Sequence, residues 1–141
     1  MIERIKCFID SNVWLYLFDP TSLKYKVARK LIKRNFVFLS VQVVNEVGRN
    51  LKDPKKPFKY TESQLREVIR YLYSPRFTFV ELTKEVYYKA SELREKYGFG
   101  YYDGIIVSAA LFGKVKILYS EDMHDDLEVE GVLKIVNPFQ K

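Results

Sequence analysis

The sequence predicts an α/β protein: one domain spanning 1–141, built as a three-layer α/β/α sandwich around a five-stranded, mostly parallel central sheet. Three observations predict it. Short β-rich runs alternate with longer segments of helical period, the pattern of a sheet covered on both faces. The runs are near-continuously apolar, as in Cys7-Phe8-Ile9 and Phe36-Val37-Phe38-Leu39, so neither face of those strands is left for water. And 141 residues, 48% of them hydrophobic, suffice for one core and not two.

The elements follow in order. Residues 5–9 read as a buried strand, and Asp10-Ser11-Asn12 turns the chain into a short helix over 13–18. Pro20 sits in a loop before a helix that carries Tyr25, Val27, Ala28, Leu31 and Ile32 at helical spacing. Residues 36–39 form the second strand, and Ser40 is placed to cap a helix over 41–51. Asp53-Pro54-Lys55-Lys56-Pro57 is a rigid basic loop. Thr61-Glu62-Ser63-Gln64 is a capping-box pattern that opens a helix running to about 73. A third strand is expected over 77–82, then a helix over 84–97 capped by Thr83 and left through Gly98 and Gly100. A small-residue helix over 103–112, strands at 116–119 and 133–136, and Pro138 complete the chain, with about seven helices in all. There is no internal repeat, low-complexity tract or linker.

Composition excludes several classes. No apolar run approaches a membrane span. Met1-Ile2-Glu3-Arg4-Ile5 has no basic region leading into an apolar stretch, so a secretory signal is not expected and a cytoplasmic location is. Cys7 is the only cysteine; it excludes an internal disulfide and a cysteine-rich zinc site, and suits a small buried strand residue. The net charge is +6, with lysines and arginines grouped over 24–34 and 52–59. Such groups are often plain solvated faces, yet they also suit a polyanionic partner.

Against that basic background stand Asp10, Glu46, Asp103 and Asp122, each where a strand passes into a loop or helix. Ligand sites of open α/β sheets lie beyond the carboxyl ends of the strands. Singly, each acid has a plainer role. Asp10 and Asp103 can cap helices, Glu46 can be an exposed helix residue, and Asp122 can belong to an acidic turn with Glu121, Asp125 and Asp126. Jointly they are harder to explain as caps. At ~4 Å and an effective dielectric near 20, each close pair of carboxylates costs about 4 kcal/mol. Protons or cations must neutralise such a group, and a divalent metal with oxygen ligands is the natural occupant.

Phe8-Ile9-Asp10-Ser11-Asn12, Glu46 on its helix, Tyr102-Asp103-Gly104-Ile105-Ile106-Val107-Ser108-Ala109-Ala110 and Leu118-Tyr119-Ser120-Glu121-Asp122 resemble the PIN-domain ribonucleases. The short length and the closing Ile135-Val136-Asn137-Pro138-Phe139 resemble most the toxin halves of VapC-type toxin–antitoxin pairs. The resemblance covers nearly the whole chain in order. It implies an endoribonuclease dependent on Mg²⁺ or Mn²⁺, with metal-binding acids at Asp10, Glu46, Asp103 and Asp122 and supporting residues Asn12 and Ser120. Asp10 and Asp103 would bind the ion directly, and Glu46 and Asp122 through waters or a second ion. Asp125 and Asp126 compete for a supplementary acidic position, and Gly104 stands where the family more usually has Ala. The resemblance also implies an RNA substrate, a homodimer and a cognate antitoxin. Tyr101 and Tyr102 flank the site and suit stacking on an unpaired base, whereas Trp14 suits the core and His124 an exposed loop.

Other readings compete. A haloacid-dehalogenase-like phosphatase wants a second Asp two residues after the first, and Asn12 stands there. A receiver domain wants paired acids and a late lysine after a strand. A non-catalytic RNA-binding or scaffold domain of the same fold would bind RNA without needing Mg²⁺.

Overall fold

A computed structural model describes residues 3–140. The elements are β1 (Lys6–Ile9), α1 (Ser11–Leu17), α2 (Tyr25–Arg34), β2 (Phe36–Leu39), α3 (Val41–Lys52), α4 (Glu62–Leu72), β3 (Thr78–Phe79), α5 (Lys84–Tyr97), α6 (Tyr101–Phe112), β4 (Ile117–Tyr119), β5 (Glu128–Val129) and β6 (Leu133–Val136). The α/β architecture is as expected. The opening Met1 and Ile2 lie outside the described residues.

The sheet has strand order β3-β2-β1-β4-β6-β5, and every pairing is parallel except β5 with β6. The chain builds outward from β1 through β2 to β3, then returns to the other side of β1 for β4. Strand order therefore reverses between β1 and β4, where an open α/β sheet forms its ligand crevice. The two strands end level, with Ile9 opposite Tyr119 and the Asp10 amide donating to the Tyr119 carbonyl at 3.0 Å.

The sheet has six strands, one more than the sequence predicts. The extra strand is β5, two residues long and joined to β6 through Glu130 (φ 53°) and Gly131 (φ 71°). Two successive left-handed residues suit a tight hairpin, but Glu-Gly is not the Asn-Gly or Asp-Gly signal that reveals one. Conversely, β3 is shorter than the expected 77–82 span. Its partner β2 ends at Leu39, so only Thr78 and Phe79 have a strand to pair with. Six helices form among the described residues, against about seven expected.

Helices α1 and α3 pack together, with α2 against α1 and α4 against α3, while α5 packs on α6, which lies against β2 and β4. The core joins Phe8, Ile9, Leu39, Leu118 and Ile135 of the sheet to Val13, Ile32, Val47, Leu72 and Ile106 of the helices, all essentially inaccessible to water. Each fully buried side chain of this kind contributes roughly 1.5–3 kcal/mol. Trp14 is fully buried, donates its indole N–H to the Ile9 carbonyl at 3.0 Å and meets Phe77 edge-on at 5.2 Å. It is a core residue that pins α1 to the end of β1. No helix among the described residues is long and apolar enough to cross a membrane.

Local signals explain most boundaries. Thr61 and Gln64 make the reciprocal capping box of α4. Thr83 caps α5, and Gly98 ends it in the left-handed conformation (φ 76°). Ser40 occupies the N-cap of α3 with extended backbone, yet its buried hydroxyl makes no capping bond and has no partner among the described residues. Helix α6 begins two residues before the expected 103, because the Gly100 carbonyl already accepts the Gly104 amide at 3.0 Å.

Gly104 has a packing reason. A Cβ there would lie 2.8 Å from Arg94 Cγ and 3.2 Å from the Ala90 carbonyl oxygen, so glycine lets α6 close onto α5. Alanine would gain about 1 kcal/mol of helix propensity but must displace a backbone oxygen and a mid-chain carbon. Gly104→Ala is expected to be destabilising by about 1–2 kcal/mol net, read as a lower urea midpoint at unchanged m. An unchanged or raised midpoint would show that the two helices have slack.

Candidate active site at the β1–β4 crevice

The centre of the site is Asp10, the residue after β1 and the N-cap of α1. It is 5% exposed. Its Oδ1 accepts the Ser11 amide at 2.7 Å, and its Oδ2 accepts the Ser120 hydroxyl at 2.8 Å. Burial pushes the Asp10 carboxyl up to about 7; the bonds from Ser120 and Ser11 oppose this, and the charges of Glu46 and Asp103 add to it. Asp10 is thus both the cap of its helix and a carboxyl in a charged neighbourhood.

The next two residues each hold one more acid. The Ser11 hydroxyl donates to Glu46 Oε1 at 3.0 Å, across to α3. Asn12 donates its amide to Asp122 Oδ2 at 3.0 Å and accepts the Glu121 backbone N–H at 3.2 Å. Successive helix residues point about 100° apart, so one turn of α1 reaches α3 on one side and the loop after β4 on the other. Glu121 is held in turn by the Tyr16 hydroxyl at 2.7 Å and by Lys24.

Asp103 lies in the first turn of α6, where a carboxylate is favoured by the helix dipole. It is half-buried. Burial raises its carboxyl, with Glu46 and Asp122 adding and His124 opposing. Asp10 thus feels Glu46 and Asp103, and Asp103 feels Glu46 and Asp122, which links the four acids through Asp103. Asp103 and Asp122 also line a pocket of about 200 Å³ with His124, which is itself exposed. Among the described residues, no three acidic, imidazole or thiol groups stand close enough together to enclose a metal ion.

Asp125 and Asp126, the competitors for a supplementary position, each bond outside this group. Asp125 accepts the Asn137 amide at 2.7 Å, and Asp126 pairs with Lys134 at 3.5 Å. Two polar residues were invisible to sequence reasoning. Ser11 looked like turn filler. Gln42 is buried and donates to the Tyr102 carbonyl at 3.2 Å and, at 3.4 Å, to Glu46. The available signal was a glutamine four residues before Glu46 on a helix face otherwise made of valines and leucine.

The family profile described as PIN domain matches residues 7–128, and the chain belongs to that family. Solved structures share the fold. A toxin–antitoxin complex from Klebsiella pneumoniae superposes with TM-score 0.72 at 18% identity, over 96% of this chain and 99% of that one. VapC20 of Mycobacterium tuberculosis, described as a sarcin–ricin loop cleaving toxin, gives 0.65 at 14% identity over 79% and 86%. VapBC2 of Rickettsia felis, bound to a promoter DNA fragment, gives 0.59 at 20% identity over 84% and 88%. No curated protein sequence matches.

The buried Asp10 makes stability depend on pH. The folded state keeps this proton up to about 7, whereas the unfolded chain releases it near 3.8. Between those values the folded state binds more protons, so stability falls as pH rises and levels off above 7. At 1.36 kcal/mol per pK unit the loss has an upper limit of the order of 4 kcal/mol. Urea unfolding in EDTA at pH 4.5 and 8 measures it. Asp10→Asn, which keeps the cap, should flatten the difference. A wild type more stable at pH 8 than at 4.5 would mean that the hydrogen bonds outweigh burial.

Proposed function

We propose that this protein is a metal-dependent endoribonuclease, hydrolysing phosphodiester bonds in RNA as the toxin half of a VapC-type toxin–antitoxin pair. The observation that carries the reading is a missing neutralisation. Asp10, Glu46, Asp103 and Asp122 act on one another electrostatically, yet none has a Lys or Arg partner among the described residues of a chain whose net charge is +6. A fold with cations to spare had an easy way to relieve this group. Instead burial leaves Asp10 holding a proton up to about pH 7, and a cation arriving from solution would displace that proton and neutralise the other acids.

The donor chemistry fits Mg²⁺ or Mn²⁺. The groups are carboxylates, hydroxyls and amides, with oxygen as the only ligand atom near Asp10. An ion that keeps several of its waters needs only one or two carboxylates, so no closed cage is required. Asp10 and Asp103 would hold the ion, with Glu46 and Asp122 acting through water. Bound there, it lowers the pKa of water and neutralises phosphate charge. The chain's own residues supply positioning. Ser120 and the Ser11 amide fix both oxygens of Asp10, the Ser11 hydroxyl and Gln42 aim Glu46, and Asn12 aims Asp122. Hydrolysis joins a water oxygen to phosphorus and breaks one P–O ester bond. Glu46 and Asp122 are both less buried than Asp10 and, not being assigned as direct ligands, are suited to accept the proton that water gives up.

A non-catalytic RNA-binding domain is the second reading, favoured by the lack of three enclosing donors among the described residues. The two differ in their response to Asp103→Asn. On the nuclease reading the substitution abolishes Mg²⁺-dependent cleavage of single-stranded RNA without unfolding the protein. Thermal melts should show the variant as stable as wild type or more so in EDTA, because a repelling charge is gone. Excess Mg²⁺ should reverse the order, since only the wild type gains full binding energy. Cleavage at the wild-type rate, or heavy destabilisation in EDTA, would make Asp103 a structural residue.

Two of the similar solved structures are of toxin–antitoxin pairs, which supports an antitoxin partner. Such a partner would inhibit by placing an Arg or Lys among the carboxylates. A homodimer is supported by exposed Val41, Tyr87, Tyr101 and Tyr102, apolar bodies from α3, α5 and α6 around a pocket of about 510 Å³ that includes Glu46. Pairing through that face sets two acidic sites side by side. Light scattering at micromolar concentration should give a dimer mass, and Tyr87→Glu with Tyr101→Glu should give a monomer. A monomeric wild type would sink the dimer.

A further inference from the structure

We infer that the pocket between α1 and the basic loop over 53–60 is a subsite for one unpaired guanine of the RNA strand, next to the bond that is cut. The inference deepens the nuclease reading and rests on it for the identity of the polymer. The pocket holds about 330 Å³, and Asn12 and Asp122 form part of its wall, so it opens directly onto the acidic site. That volume is at the small end of the ~300–1,000 Å³ typical of ligand pockets, suited to one nucleoside and too small for a duplex.

Its walls divide by chemistry. Phe58 supplies an aromatic ring, and Lys56 is exposed beside it with Lys55 and Lys59 near in sequence. Unpaired bases are bound by stacking on such rings while lysines meet the backbone phosphates. Asp19 and Asn50 supply the polar groups. Asp19 Oδ1 accepts the Thr21 hydroxyl at 2.8 Å, and the Asn50 amide nitrogen donates to the Glu46 carbonyl at 2.8 Å. The other oxygens, Asp19 Oδ2 and Asn50 Oδ1, accept no hydrogen bond among the described residues. Lys56 and the second N–H of Asn50 remain as donors for phosphate and sugar oxygens, while the Asp19 carboxylate remains an acceptor that paired N–H donors on a base meet best. Guanine places N1–H and the N2 amino group side by side on its Watson–Crick edge, a match for a carboxylate. Uracil offers one N3–H flanked by two carbonyl oxygens that would face the carboxylate, while adenine and cytosine each set one amino group beside a ring-nitrogen acceptor.

The loop is a built wall. The Lys55 amide donates to Asp53 Oδ1 at 2.9 Å, the Lys59 ammonium to the Pro54 carbonyl at 3.2 Å, and the Phe58 ring meets Tyr60 edge-on at 6.4 Å. A ring held before the ligand arrives costs less ordering on binding.

The test is fluorescence anisotropy of labelled oligoadenylates carrying one central guanine, inosine, cytosine or uracil, with the wild-type protein in EDTA at low salt. The guanine strand should bind at least ten-fold more tightly than the uracil strand. Inosine, which lacks the N2 amino group, should fall between. Asp19→Asn keeps the acceptor for Thr21 and should erase the preference with an unchanged thermal midpoint. Phe58→Ala should weaken every strand, with a lower midpoint because the ring also packs against the core. Equal affinities, no binding, or a preference that survives Asp19→Asn overturns the subsite. Cleavage of the same strands in Mg²⁺ separates this from the parent reading. Guanine preference without cleavage removes the nuclease and leaves the subsite; cleavage without preference does the reverse.

Discussion

The structure depends on keeping one carboxyl out of water at the end of a central strand. Asp10 sits where strand order reverses, beneath the start of α1, and its two oxygens are taken by the Ser11 amide and the Ser120 hydroxyl. Both partners are neutral. They orient the carboxyl and offset part of its burial, but they do not cancel a charge. The chain stays level with this constraint because β1 and β4 end together: Ser120 reaches Asp10 only if Tyr119 lies opposite Ile9, as it does. A one-residue slip of β4 would turn Ser120 to the other face of the sheet.

From that anchor the rest of the crevice is organised by three consecutive residues. Asp10 contributes itself, Ser11 reaches Glu46 on α3, and Asn12 reaches Asp122 and its neighbour's backbone after β4. Trp14, two positions after Asn12 and in the core, locks the same helix to β1 through the Ile9 carbonyl. The core and the site are thus fixed by one short helix: its apolar side sets where the strand ends, and its first turn sets where the acids point.

This division explains what the sequence made legible. Strands β1, β2, β4 and β6 and all six helices announce themselves through apolar runs, helical period and caps such as Thr61 and Thr83. The misses are places where no local signal exists. β5 is two residues long and stands by virtue of β6 beside it. β3 stops where its partner stops, which no property of Val80 or Leu82 could foretell. In the site, Asp10, Glu46, Asp103 and Asp122 stand out jointly as four acids read near strand ends of a basic chain; Asp10 and Asp122 do follow strands, whereas Glu46 lies within α3 and Asp103 in the first turn of α6, which follows a helix. Ser11 and Gln42 did not, because a hydroxyl or amide near a helix start has many uses, and only tertiary geometry shows which acid each serves. Asp125 and Asp126 were equally visible as acids, and geometry alone assigns them to Asn137 and Lys134.

That last contrast separates two kinds of acid in one loop. Glu121, Asp125 and Asp126 are matched to groups that complete them: Glu121 to Lys24 and the Tyr16 hydroxyl, Asp125 to a backbone amide, Asp126 to Lys134. Asp122, one residue from Glu121, is met only by the amide of Asn12. Glu46 is met only by a serine and a glutamine, and Asp10 by a serine and a backbone N–H. Neutral donors fix direction and leave negative charge in place, whereas a cation fixes direction and consumes it. Asp103 accepts no hydrogen bond among the described residues, and the other three acids of the crevice are positioned by the first kind of partner without being neutralised by it. In a chain with more lysines and arginines than acids, that arrangement supports the proposed cation site over a purely structural cluster, which a lysine or arginine would complete.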